Sequence, residues 1–233
     1  NGATIPSTGW KNGWPRWRAH RPEMTVSAER LLFAYAQGVF PMAESASDPQ
    51  LYWFDPPERG ILPVGGVHVS RSMRRLLRRA GWHATVNRDF MSVIAGCADR
   101  PETWINAPLI GLYAELHRMG HAHSLEVWEG DALIGGTYGV SLGAAFFAES
   151  MFSRRPSASK AALIWMSHHL RACGFTLWDT QYPTPHLASM GGTAISRLDY
   201  RRRLARAVRQ PVRFETTAQP EAQALLQEIT QTS

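Results

Sequence analysis

The chain has 233 residues, 44% hydrophobic and 19% charged, which is enough apolar material for a real core and excludes disorder as its dominant state. Its 25 Lys and Arg against 19 Asp and Glu leave a net charge of +6, and every basic residue except Lys11 and Lys160 is arginine, whose planar fork suits phosphate. Two cysteines, Cys97 and Cys173, cannot build a disulfide framework, and no Cys/His spacing marks a zinc site. The most apolar run, Leu133 to Phe147, is broken by Gly135, Gly136, Gly139 and Gly143 and reads as sheet, so no membrane span is expected. No secretory signal pattern is recognisable, and a cytoplasmic protein is expected.

Residues 1–23 hold turn formers, three Trp and four basic residues without periodicity, and read as an extension ahead of Met24. Ser27 caps an amphipathic helix running to about Gln37, with Leu31, Leu32 and Tyr35 on one side and Gly38 ending it. Residues 41–66 are proline-rich loop around a short aromatic strand, Leu51 to Phe54, so 1–66 are expected to form a small N-terminal domain and 67–233 a larger one. In the larger part, helices are expected near 70–80, 89–98, 107–119, 157–172 and 197–209. Strands are expected at His83–Val86, Ser124–Glu129, Ala132–Val140, Ala144–Glu149 and Phe175–Gln181, followed by a polar tail. The pattern predicts an α+β domain with a mainly antiparallel sheet flanked by helices.

The helix near 70–80 carries five arginines, Arg71, Arg74, Arg75, Arg78 and Arg79, and no acid. Arg71, Arg74, Arg75 and Arg78 fall within roughly 100° of one another, opposite Met73, Leu76, Leu77 and Ala80. Like charges at this spacing repel, so an anionic partner such as RNA phosphate is expected to offset the cost. A second basic cluster, Arg197 to Arg209, either extends that surface or is a solvated helix face.

On the strand Phe175–Gln181 the period of two puts Phe175, Leu177, Asp179 and Gln181 on one face. That pair could satisfy backbone groups, or the carboxylate could orient and polarise the amide for a proton-bearing nucleophile. Glu149, alone among aromatic residues and Met, reads as an amine anchor or the partner of a buried arginine. His121 and His123 could be half a metal site but lack a third ligand, so no metal is expected. His186 is an acid/base candidate or a loop residue, and no Walker loop or nucleophile elbow occurs.

Several strings together resemble one family: Ala34-Tyr-Ala-Gln-Gly-Val-Phe-Pro41, His68-Val-Ser-Arg-Ser-Met-Arg-Arg75, Thr103-Trp-Ile-Asn106, Gly120-His-Ala-His-Ser-Leu-Glu-Val-Trp128, Glu149-Ser-Met-Phe-Ser-Arg154 and Asp179-Thr-Gln181. They are similar, in order, to the bacterial leucyl/phenylalanyl-tRNA–protein transferases. The resemblance implies a small N-terminal domain joined to a domain like the GNAT (acyl-CoA N-acyltransferase) fold. It implies transfer of Leu or Phe, less readily Met, from aminoacyl-tRNA to the α-amine of proteins beginning with Arg or Lys, creating a degradation signal.

By the same resemblance, Asp179 and Gln181 act on the attacking amine and the arginine helix (Arg71, Arg74, Arg75, Arg78, Arg79) takes the tRNA acceptor stem. Trp104 holds the terminal adenosine, and Glu149, Met151, Leu163, Met166 and Trp178 surround the aminoacyl group. No cofactor is implied and a monomer is expected. Many members carry Trp after Phe-Pro where this chain has Met42, and Trp53 or Phe54 is expected to compensate. A CoA-dependent acetyltransferase would need a pyrophosphate-binding Gly loop that is not found, and a non-catalytic RNA-binding module would bind tRNA without product.

Overall fold

The computed structural model describes residues 26–231, so the reading of residues 1–23 and of Met24 lies outside the described residues. Helix α1 (Ala28–Ala36) starts where the Ser27 hydroxyl accepts the Arg30 N–H at 3.3 Å, and it stops at Gly38, whose φ of +79° a side chain would resist. Strands β1 (Phe40–Met42) and β2 (Tyr52–Phe54) then form a two-stranded ribbon in which Phe40 faces Phe54.

Strand β3 (Glu58–Leu62) leaves the ribbon and enters the main sheet. It precedes residue 66, so the large sheet begins inside the segment assigned from sequence to the small N-terminal domain. After it come α2 (Arg71–Arg79), β4 (Trp82–Val86), α3 (Phe90–Ala98), α4 (Ala107–Arg118), β5 (Ala122–Glu129), β6 (Ala132–Leu142), β7 (Ala145–Ser153), α5 (Ala158–Cys173) and β8 (Leu177–Gln181). The chain ends with α6 (Pro185–Ser189), β9 (Thr193–Ser196), α7 (Arg197–Ala207) and α8 (Ala222–Gln231).

The seven-stranded sheet has the order β4-β5-β6-β7-β8-β3-β9. Every neighbouring pair is antiparallel except β7 and β8, which run parallel from Ala145 beside Leu177 to Phe147 beside Asp179. The protein is therefore α+β with a mainly antiparallel sheet. Alternation along the strands feeds two cores: Phe146 and Trp178 pack with α5, while Phe147 and Leu177 pack with α1, α3 and α4. Both faces being covered, all five residues of β8 are buried.

Five elements lie outside the expected pattern: β1, β3, α6, β9 and α8. Strands β3 and β9 are short and lie in segments rich in Pro or Gly, where periodicity has no room to develop. The polar tail is a correction: Phe214 is buried, and Leu225 and Leu226 of α8 enter the core beside α5. Gly60 on β3 is forced by proximity, because a Cβ there would lie 2.8 Å from the Thr180 hydroxyl and 2.9 Å from the backbone of Tyr182 and Pro183.

Candidate active site

Past the paired stretch of β7 and β8, which ends at Phe147 and Asp179, a cavity of about 300 Å³ opens between the ends of these strands, the β1 strand, the α3–α4 loop and the segment after β8. Trp104, Glu149, Met151, Leu163 and Gln181 line it, together with Phe40 and Met42. Met166 and Trp178 do not; they are buried on the α5 side of the sheet. Trp53 is half-buried on β2 beside Pro41 and is also off the cavity wall, as is Phe54, so the side chain that fills the place after Phe-Pro is Met42 itself.

Glu149 is the acid of this wall. Tyr35 from α1 donates to its Oε1 at 2.7 Å and Tyr113 from α4 to its Oε2 at 2.7 Å. Gln181 Nε2 donates to Oε1 at 3.0 Å. Burial pushes the Glu149 carboxyl up to about 7, while the two tyrosine hydroxyls pull the other way. A carboxyl raised in this way is better suited to take up a proton near neutrality than an ordinary one.

Gln181 ends β8 with φ of +58°, a left-handed conformation uncommon for a side-chain-bearing residue. Its backbone N–H is held by Asp179 Oδ1 at 2.8 Å, and β8 bulges there: the neighbours Gly60 and Ile61 face Gln181 and Asp179, which leaves Thr180 without a partner in the β3 ladder. The turn commits Gln181 Nε2 to Glu149 and leaves Gln181 Oε1 without a partner among the described residues.

Asp179 does not reach the cavity. Arg59 Nε lies 2.9 and 3.1 Å from its two oxygens, Arg59 Nη2 lies 2.8 Å from Oδ2, and Tyr200 adds a hydrogen bond of 2.6 Å. Burial is the strongest single influence on Arg59 and opposes its charge, but Asp179, Tyr200 and Asp55 together outweigh it and raise the guanidinium's affinity for its proton. The guanidinium also lies between the Phe40 and Tyr200 rings, 4.5 and 4.4 Å from their centroids. The expected Asp179–Gln181 couple is thus joined through the backbone, and the side chain that meets the Gln181 amide is Glu149.

The arginine helix folds as the spacing dictates, capped by the Ser70 hydroxyl on Met73 N–H with Met73 and Leu77 buried. Arg71, Arg75, Arg78 and Arg79 are exposed and none has an acidic partner among the described residues. Arg74 departs from this ridge: it bonds Val69 O and the Thr230 hydroxyl of α8. On α7 the basic residues are partly neutralised, since Arg197 and Arg201 converge on Asp55 at 3.4 and 2.7 Å.

No group of three or more His, Cys, Asp or Glu suited to a metal ion occurs among the described residues. His123 instead stacks on Phe214 with centroids 4.2 Å apart, and burial drives its pKa down to about 3. Both cysteines are free. No helix among the described residues is long and apolar enough to cross a membrane.

The family profile described as leucyl/phenylalanyl-tRNA protein transferase matches residues 61–205, and the profile of that family's N-terminal domain matches 24–57. The chain belongs to the leucyl/phenylalanyl-tRNA–protein transferase family. It is 73% identical over 208 residues to the leucyl/phenylalanyl-tRNA–protein transferase of Paracoccus denitrificans, covering 89% of this chain and 98% of that one. It is 60% identical over 210 residues to that of a Ruegeria species, covering 90% and 100%. As a leucyl/phenylalanyl-tRNA–protein transferase family member it is an enzyme, an aminoacyltransferase.

Sequence reasoning about this transferase missed Tyr35 and Tyr113 as partners of Glu149. Their signal was present: a hydroxyl on the apolar side of a helix needs a partner once buried. Arg59 had none, because nothing in Glu58–Leu62 distinguishes a buried guanidinium from an exposed one.

Proposed function

We propose that the protein transfers Leu or Phe, and Met less readily, from aminoacyl-tRNA to the α-amine of proteins that begin with Arg or Lys. The product carries a new N-terminal residue that marks it for degradation. The observation that carries this reading is the mostly apolar cavity in which one carboxyl group, Glu149, and one amide, Gln181, meet at 3.0 Å. Apolar walls suit a Leu or Phe side chain; Met151 and Leu163 supply them, and Trp104 offers a ring for the terminal adenosine.

The chemistry needs neither ATP nor a metal, because the acyl group arrives as an ester. What limits it is the nucleophile, since an α-amine with pKa near 7.7–8.0 is roughly nine-tenths protonated at pH 7. Gln181 Oε1, its amide fixed by Glu149, accepts a hydrogen bond from the amine and aims the lone pair at the ester carbonyl. Glu149 takes the ammonium proton. Nitrogen attacks and the C–N bond forms; the excess proton on that nitrogen then passes to the ribose oxygen as the C–O bond breaks, so the ribose leaves with a free hydroxyl. Asp179 holds the Gln181 turn. Bringing two bound reactants together supplies a large share of the rate.

The exposed arginines of α2 are the surface for acceptor-stem phosphates, contacts that carry no sequence information. The single parallel pair, β7 beside β8, in an otherwise antiparallel sheet supports reading the larger domain as GNAT-like. The profile matches, 24–57 and 61–205, support a small N-terminal domain that ends before β3. The protein works as a monomer in the cytoplasm.

Transfer of labelled Leu or Phe from charged tRNA onto a protein with N-terminal Arg tests the reading directly. Labelled product is expected with Arg or Lys at the N-terminus and not with Asp or acetylated Arg. tRNA binding without product, or acetyl transfer from acetyl-CoA, would refute it.

A further inference from the structure

Arg100, between α3 and α4, lines the same cavity and takes no part in the chemistry above. Three hydrogen bonds immobilise it: Nε donates to Cys97 O at 2.7 Å, and Nη2 donates to Ser150 Oγ at 2.9 Å and to Met151 O at 3.2 Å. Every one of these acceptors is neutral, and no carboxylate pairs with Arg100 among the described residues. Nη1 is neither bonded to another described residue nor shut off from solvent. Close by in sequence and on the same wall, Trp104 is 8% exposed and its indole Nε1 has no hydrogen-bond partner among the described residues.

A half-buried cation fixed in place without a counter-charge is costly unless an anion joins it. Arg100 is also the one Arg or Lys on the cavity wall, and Glu149 the one acid, among the described residues. The wall is thus polar in the electrical sense, with a carboxyl group beside Gln181 and a guanidinium elsewhere. The aminoacyl ester itself is neutral and its free amine is cationic, so neither supplies the counter-charge that Arg100 lacks. Within the donor's 3′ end the nearest anion is the phosphodiester on the 5′ side of the terminal nucleoside.

We propose that Arg100 is a positioning residue that receives this terminal phosphodiester on Nη1 and so sets how far the ester reaches toward Gln181 and Glu149. The assignment rests on the aminoacyl-tRNA reading above. It adds a fixed phosphate contact inside the cavity to the diffuse ones of the α2 ridge.

Two amide-linked probes test it, 3′-leucylamino-3′-deoxyadenosine with and without a 5′-phosphate, each measured by competition against leucyl transfer from tRNA. The phosphorylated probe is expected to bind the unaltered protein roughly 10-fold more tightly or better, as a hydrogen bond to a charged group gives. Arg100→Ala should erase that gain while the unphosphorylated probe keeps its affinity within about twofold, as it would if only the phosphate contact were removed. Arg100→Lys, which keeps charge and stem, should retain part of it, and thermal midpoints of both variants report folding.

Equal loss for both probes would make Arg100 merely structural, and no phosphate gain in the unaltered protein would overturn the proposal outright. The broader reading is judged separately: if transfer from tRNA proceeds and Arg100→Ala leaves both affinities unchanged, the phosphate contact fails and the activity stands.

Discussion

Arg59 and Asp179, brought together from β3 and β8, form a buried ion pair at 2.8 Å with 1% and 0% of their side chains exposed. Neither can be removed alone without stranding the other's charge, and Asp179 also holds the Gln181 N–H. Its influence on the cavity therefore passes through the shape of the Gln181 turn and through its charge, which helps to raise the Glu149 carboxyl, and not through contact with a substrate.

Asp179→Ala and Gln181→Ala should then fail differently. Losing one partner of a buried pair costs about 3–5 kcal/mol, so Asp179→Ala is expected to lower the thermal midpoint by many degrees and turnover with it. Gln181→Ala should leave the midpoint nearly unchanged and cut turnover, with tRNA affinity unaltered in the folded protein. Calorimetry beside single-turnover transfer separates them; an Asp179→Ala protein as stable as the parent would contradict the structural role.

Much of this arrangement was legible beforehand and the remainder has physical reasons for being hidden. Helices with caps and an apolar stripe, such as Arg71–Arg79 behind Ser70, declare themselves locally. Leu177 to Gln181 could be placed on a strand because alternation survives there, but not how the end of the strand turns, because the positive φ of Gln181 is imposed by Asp179 and by Gly60 across the ladder. Glu149 was recognisable as an isolated acid among aromatics, whereas its pairing with Gln181, Tyr35 and Tyr113 joins residues 32 to 114 positions apart, which no local pattern encodes. Met166 and Trp178 came from the family resemblance; Met166 lies in the core on α5 itself, and alternation along β8 turns Trp178 into that core while Leu177 faces the other one.

The pH dependence of transfer should report Glu149. With its carboxyl raised to about 7 by burial, the ionised fraction and the rate are expected to climb as pH rises through that region. Tyr35 donates to it and favours the ionised form, so Tyr35→Phe should move this acid limb to higher pH. The acceptor amine titrates nearby but is untouched by the substitution, so a displaced limb identifies the carboxyl. Superimposable profiles for both proteins would exclude Glu149 as the proton acceptor.

Salt should weaken tRNA binding through the exposed ridge of α2. Neutralising about four phosphates gives a slope of log K against log salt near −3 to −4. Arg75→Ala with Arg78→Ala should flatten it by about 2 and weaken all tRNAs alike. Arg74→Ala should matter less for salt and more for stability, because Arg74 is tied to Val69 and to Thr230 of α8. Filter binding at several salt concentrations decides this, and an unchanged slope in the double variant would remove the ridge from the interface.

Acid should loosen the protein through two buried histidines that clasp Phe214, whose ring lies 4.2 Å from His123 and 4.4 Å from His169. Asn87 uses its Oδ1 to accept the Ser124 N–H, so its Nδ2 faces His123 Nδ1 at 3.2 Å and that nitrogen must be the acceptor. Protonation would set two donors against each other. Burial, aided for His123 by His117, His121 and His169 and for His169 by His168, lowers the two pKa values to about 3 and about 4. Unfolded histidine takes a proton near 6.5, so below that pH the unfolded chain binds protons the native one refuses, and stability falls as pH drops toward 4. Glu149 acts oppositely between its ordinary value and about 7, whereas His186, lowered by burial and by Lys160, acts in the same sense as the two histidines of the clasp. The thermal midpoint should therefore decline from pH 7 to pH 5, and His123→Gln, which cannot titrate, should reduce that decline while lowering the midpoint at pH 7. A midpoint independent of pH over this range, or a variant with the parent's full acid sensitivity, would show that the histidine clasp does not govern it.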